Sequence, residues 1–161
     1  MSGRSFQTVR ALVCDSTRHA SELLASMLRV VGFRHITVAG SASVFAEHIG
    51  RGSFGIAFVG DQPDALSGAE LVRGIRATEA LKDRYTPIVM MFSDSTQRSI
   101  VLARDAGVTD FIRKPVSPAI LATRIEQVLS RPRPVVTSPT YVGPDRRRRD
   151  AMFKGDDRRG R

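Results

Sequence analysis

The sequence has no tryptophan, two tyrosines and a single cysteine, Cys14. One cysteine excludes a disulfide within the chain, so no cross-link can substitute for a packed core. Aromatic residues make up 6% of the 161 residues, and the hydrophobic share of 42% must therefore come mainly from aliphatic side chains. That share is ordinary for a globular domain. No apolar run approaches the ~20 residues of a membrane-spanning helix. Met1 to Arg10 lacks the apolar centre of a secretory signal. These absences point to the cytoplasm. His19, His35 and His48 show no ligand-like spacing, so no metal site is assigned to them. No nucleophile is visibly paired with a base, which makes an enzyme the least expected class.

Acidic residues are also short: 16 Asp/Glu face 25 Lys/Arg, a net charge of +9. The imbalance is local. Residues 1–130 hold 15 basic and 12 acidic side chains, whereas residues 131–161 hold 10 and 4. A mildly basic domain thus carries a strongly basic extension, a composition that seeks phosphates or acidic surfaces.

Within the first 130 residues, short apolar runs alternate with helical spacing. Val9–Cys14, His35–Ala39, Phe54–Val59, Pro87–Phe92 and Val108–Arg113 read as strands. Between them, Ala20 to Val31, Ser41 to Ile49, Ala69 to Ile75 and Ile100 to Ala106 read as helices, and Pro118–Leu129 as a last one. Five strands alternating with five helices predict an α/β domain with a parallel sheet. The expected architecture is a flavodoxin-like (βα)5 fold, strand order 2-1-3-4-5, over residues 1–130. Ligand chemistry in such folds gathers at the carboxyl ends of the strands. Those ends carry Asp15, Gly60, Asp61, Ser93 and Lys114.

Asp15, Ser93, Phe111, Lys114-Pro115 and Gly68 together resemble the CheY-like response-regulator receiver domain over about residues 8–130. The resemblance implies an acidic pair and a phospho-accepting aspartate around magnesium, a hard cation that takes oxygen ligands. It also implies a hydroxyl and a lysine that gather the phosphoryl group. Two positions depart from the pattern. The acidic pair is Asp15-Ser16, and ungapped counting puts Gly60 where the acceptor belongs. The pocket is therefore expected to be degenerate, with weak or absent magnesium binding. A one-residue bulge that turns Asp61 inward would rescue phosphorylation. Otherwise Asp15 caps the helix near Thr17 or pairs with Lys114, Ser93 caps a helix, and Phe111 and Cys14 pack in the core.

The extension begins with Arg131-Pro132-Arg133-Pro134, which ends the last helix. Val135 to Gly143 is expected to be extended or disordered. Asp145-Arg146-Arg147-Arg148-Arg149-Asp150 follows, and Gly155-Asp156-Asp157-Arg158-Arg159 partly repeats it. A solvated, non-specific arm for nucleic acid is the plainest reading. Against it, Lys154 is the only lysine of the extension and aspartates bracket the arginines. Arginine can fork onto guanine O6 and N7, stack on a base and pair with phosphate. Asp145 and Asp150 can accept from the guanine N1 and N2 edge, and Tyr141 can supply an aromatic platform. Arg147 to Asp150 has the Arg-x-x-Asp spacing of inhibitory cyclic di-GMP sites.

A receiver with such an extension resembles the Cle group of CheY-like cyclic di-GMP effectors. The resemblance implies cyclic di-GMP contacts by Arg146, Arg147, Arg148, Arg149 and Asp150; it says less about Arg158 and Arg159, which are candidates for additional contacts. Repulsion among the arginines is expected to keep the tail over 131–161 disordered until ligand binds. The implied partner is the flagellar motor switch or another polar protein, with recruitment to the flagellated pole. Competing expectations are a single-domain response regulator phosphorylated on Asp61, a basic-tailed nucleic-acid-binding module, and a protein that docks on an acidic surface.

Overall fold

The computed structural model describes residues 6–61 and 66–147. Five parallel strands, β1 (Arg10–Cys14), β2 (His35–Val38), β3 (Ile56–Gly60), β4 (Ile88–Phe92) and β5 (Asp110–Arg113), form one sheet in the order 2-1-3-4-5. Five helices alternate with them: α1 (Arg18–Val31), α2 (Ala42–Arg51), α3 (Gly68–Ala77), α4 (Gln97–Ala106) and α5 (Pro118–Ser130). The flavodoxin-like expectation is met. Among the described residues no helix is long and apolar enough to cross a membrane.

The central strands explain the layering. Every residue of β3 and β4 is buried, as a parallel sheet covered on both faces requires. Alternate residues feed two cores. Leu12, Val59 and Met90 pack with Phe45 and Val72 on one face. Val13, Phe58 and Met91 pack with Leu28 and Ile125 on the other. Cys14 is buried in the first of these cores, as expected of a small strand residue.

The caps differ from the sequence reading in two places. Thr17, not Asp15, caps α1: its hydroxyl accepts from the Ala20 N–H. Thr96, not Ser93, caps α4 and shares a reciprocal capping box with Ser99. For Asp15 the other expectation, a pair with Lys114, is the one that holds, whereas Ser93 was only the first polar residue after β4. The helix actually starts where a hydroxyl lies three residues before an available N–H.

A larger difference lies past α5. Of the two expectations for Val135 to Gly143, extended or disordered, the first is met, and the pairing is what was not foreseen: the segment folds as a hairpin of β6 (Val135–Ser138) and β7 (Tyr141–Pro144). Val135, Val136 and Thr137 on one side and Tyr141 and Val142 on the other suit paired strands. An isolated two-stranded hairpin is only marginally stable. Here β7 packs on α3 and α4, and the Asp145 N–H donates to the Pro134 carbonyl at 2.8 Å to close its base.

Two glycines permit this docking. Gly107 ends α4 in the left-handed region at φ 95°, and a Cβ there would stand 2.5 Å from the Val142 carbonyl. A Cβ on Gly143 would stand 2.7 Å from the Gly107 Cα. Backbone meets backbone, so neither side can yield by rotating a side chain. Gly143→Ala should therefore lift the hairpin while sparing the sheet. Amide exchange should show the Asp145 N–H losing protection and the Val89 N–H keeping it; equal protection of both in the variant would refute this account.

Candidate functional site

The carboxyl ends of the strands bring Asp15, Gly60 and Lys114 together. Asp15 follows β1 and is 5% exposed. Its backbone N–H donates to the Ser21 hydroxyl at 2.9 Å, and its Oδ1 accepts from the Ser16 N–H at 2.7 Å. Lys114, carried in from the end of β5, places its Nζ 2.6 Å from Asp15 Oδ2. That oxygen accepts no well-aligned hydrogen bond among the described residues, so the contact is chiefly one of charge with charge. A buried carboxylate requires such a partner.

Gly60 completes the arrangement by having no side chain. A Cβ on Gly60 would lie 2.3 Å from Asp15 Oδ1 and 3.2 Å from the Asp15 Cα. Gly68, at the start of α3, is crowded likewise, with a Cβ there 2.3 Å from the Gly60 carbonyl. The Ser67 capping box fixes that helix end. The Ser67 N–H and hydroxyl both donate to Glu70, which holds its carboxyl below the usual range.

The bulge that would turn Asp61 inward is not found. Gly60 pairs with Met91 in unbroken register, and the Asp61 N–H donates to the Met91 carbonyl at 3.0 Å. Asp61 is half-buried and makes no ion pair with Lys114. Ser93 is exposed. Phe111 was expected in the core but is 36% exposed, edge-on to Phe92 at 6.3 Å, while Ile112 takes the inward position.

A five-stranded parallel sheet in this order, with an aspartate after β1 meeting a lysine after β5 beside the end of β3, defines the receiver class of α/β domain. The response regulator receiver domain pattern matches residues 11–126, and the chain belongs to that family. It is similar to the chemotaxis protein CheY of Pseudomonas aeruginosa, 24% identical over 123 residues that span 76% of this chain and 98% of that one. It is equally similar to CheY-3 of Vibrio cholerae, 24% identical over 125 residues, 78% of this chain and 95% of the relative. Among solved structures, Vibrio cholerae CheY4 superposes with a TM-score of 0.67 at 19% identity, covering 76% of this chain and 99% of that one. The receiver domain of a Pseudomonas aeruginosa sensor histidine kinase, solved with magnesium in its active-site cleft, gives 0.67 at 21% identity, covering 76% and 98%. The structural likenesses show the fold. The family match ends at residue 126, short of the hairpin.

The family's magnesium site can be tested against the residues present. Magnesium needs several hard oxygen ligands in near-octahedral geometry. Ser16 stands beside Asp15, Gly60 offers no carboxylate, and Lys114 already holds Asp15 Oδ2. Among the described residues no three His, Cys, Asp or Glu side chains come together in a metal-holding group. This donor set does not fit the ion.

Of the predicted ligand residues of the extension, Tyr141, Asp145, Arg146 and Arg147 are described, and they lie at the opposite edge of the sheet. Arg146 places its guanidinium 3.7 Å over the Tyr141 ring and 3.0 Å from Asp105 of α4. Tyr141 donates its hydroxyl to the Pro144 carbonyl at 2.7 Å, so its platform already carries an arginine of its own chain. Asp145 accepts from the Arg147 N–H at 2.9 Å and forms a turn. Arg148, Arg149, Asp150, Arg158 and Arg159 lie outside the described residues.

Sequence reasoning passed over Arg76. This guanidinium is 2% exposed and donates to the carbonyls of Gly107, Thr86 and Arg84. Burial pulls its pKa down to about 10, while Tyr141 and Tyr85 act to raise it. It remains charged at neutral pH and ties α3 to the loops before β4 and β5. The available signal was its place four residues after Val72 on the apolar stripe of α3.

The Asp15–Lys114 pair gives a direct test. Lys114→Met should cost about 3 kcal/mol in urea unfolding, at the low end for breaking a buried pair because the ammonium keeps some water. Asp15→Asn in the same chain should recover part of that loss. Simple additivity of the two changes would show that the pair is not coupled.

Proposed function

We propose that this receiver is a non-phosphorylated signalling effector that takes cyclic di-GMP through its arginine-bearing extension. The observation that carries the reading is Arg146. The first guanidinium of the arginine block is stacked on Tyr141 of the hairpin and paired with Asp105 of α4. Any ligand that engages the block therefore acts on a contact that reaches the domain.

Two supporting points concern the rest of the domain. The acceptor position is glycine, and its space is filled by Asp15. Leu102 of α4, Phe111 of β5 and Ile120 of α5 expose 44%, 36% and 53% of their surfaces, an apolar set suited to a protein partner such as the flagellar motor switch. Arginine supplies what a guanine dinucleotide needs: forks for the Hoogsteen edge, planes for stacking and charge for the phosphates. The Arg146 clasp is modest. Both partners are more than one-third exposed, so the pair contributes under about 1 kcal/mol, and the cation–π contact adds a similar amount. A dinucleotide ligand can outcompete contacts of that size.

Calorimetry with cyclic di-GMP, GTP and a short RNA at matched salt tests the reading. Cyclic di-GMP should bind at least ~10-fold more tightly than either competitor. Arg147→Ala with Arg148→Ala should abolish the preference, and the lysine pair should keep only the charge-driven part. Equal binding of all three ligands would defeat the proposal, as would a phosphodonor-dependent mass gain lost in Asp61→Asn.

A further inference from the structure

Two adjoining cavities lie at the amino-terminal edge of the sheet, where the hairpin, the end of α5 and the loops before β4 and β5 meet. The smaller, about 240 Å³, is a slot lined by Tyr85, Pro87, Pro132, Val135 and Pro144. The larger, about 540 Å³, is lined by Arg124, Gln127, Arg131, Arg133, Asp145 and Arg147 among others. Thr109, Val128, Pro132 and Arg133 line both, so the two adjoin.

The chemistry of the walls is divided. The slot is mostly apolar, with Arg76 and Arg133 as its charged walls, and is bounded by flat or rigid rings, which suits a planar heterocycle. The larger cleft is cationic. Among the described residues Arg131, Arg133 and Arg147 have no acidic partner, while Arg124 is held by Asp110 at 3.4 Å. Bringing three like charges to one cleft is unfavourable unless an anion joins them. Two features oppose a generic polyanion. The carbonyl end of α5 points here, and Asp110 and Asp145 line the same cleft. A ligand that joins phosphates to a donor-bearing ring satisfies both halves, since carboxylates can accept from its N–H groups.

We propose that the joined cavities form the seat of a purine-nucleotide phosphodiester, with the base in the slot and the phosphates on Arg131, Arg133 and Arg147. This inference rests on the ligand reading above and extends it. It assigns binding to arginines outside the Arg146 to Arg149 block, and to Tyr85. It also places the ligand at the edge of the sheet opposite Asp15 and Lys114. The hairpin makes this possible, because Val135 and Pro144 supply walls that a bare receiver domain would lack.

The test is calorimetry of the full chain with cyclic di-GMP. Arg131→Ala with Arg133→Ala should weaken binding about tenfold or more. Both side chains are exposed, and the thermal melt followed by circular dichroism should barely move. Arg29→Ala with Arg98→Ala removes the same charge from exposed sites elsewhere and should change the constant by less than about twofold. Tyr85→Ala should weaken binding roughly fivefold through lost stacking. Should the alanine pair disturb the hairpin, Arg131→Lys with Arg133→Lys, which keeps the charge and loses the fork, should still weaken binding. Failure of the unaltered chain to bind would overturn the ligand reading and this site with it. Normal binding by the unaltered chain and by both Arg131/Arg133 variants would overturn the site alone. So would an equal loss in the Arg29/Arg98 control, which would mean that only net charge matters.

Discussion

A carboxylate almost wholly withdrawn from water must have a cation beside it, and the end of the sheet is arranged around that need. Asp15 meets Lys114 across the end of β3, which ties the carboxyl end of β1 to that of β5. Gly60 leaves the space in which Asp15 rests. The three positions are therefore interdependent. A carboxylate at residue 60 would crowd Asp15 sterically and add a second negative charge beside it. Two of the residue types that suggest a phosphoryl site by position, an aspartate and a lysine, meet here as an ion pair.

The opposite edge is built on another principle. There the chain continues past α5, turns at two proline-containing dipeptides and returns as β7 against α3 and α4. Its seat is made by the meeting of Gly107 and Gly143 backbones above a buried Arg76. Arg76 donates to three loop carbonyls, so the charge organises the edge with no carboxylate partner among the described residues. Arg146 then fastens the start of the arginine block to α4. One end of the domain is closed by an ion pair, and the other is extended by a hairpin.

The alternation of apolar runs and helical spacing made the sheet order legible, because buried parallel strands such as Ile88–Phe92 leave little ambiguity. The Asp15–Lys114 pairing was legible as one of two options, since both lie at strand ends that the fold brings together. The hairpin was not. Pro139 and the flanking basic dipeptides read as a linker, and pairing between Val135–Ser138 and Tyr141–Pro144 depends on a docking surface that no local pattern reveals. Phe111 was misplaced for a related reason. On β5, a strand at the edge of the sheet, alternation alone cannot say which of Phe111 and Ile112 faces inward. The contribution of Arg131 and Arg133 to a cleft was likewise hidden until the hairpin supplied its far wall.

The scarcity of aromatic residues has an optical consequence. With no tryptophan in the chain, ultraviolet emission is dominated by Tyr85 and Tyr141, the phenylalanines being weak emitters. Both act on Arg76, at the hairpin edge of the sheet, and each has an arginine over its ring: Arg84 over Tyr85 and Arg146 over Tyr141. Intrinsic fluorescence of the unmodified protein is thus a local gauge of that edge and is blind to the Asp15–Lys114 end. The molecule carries its own reporter at the place where its extension meets its domain.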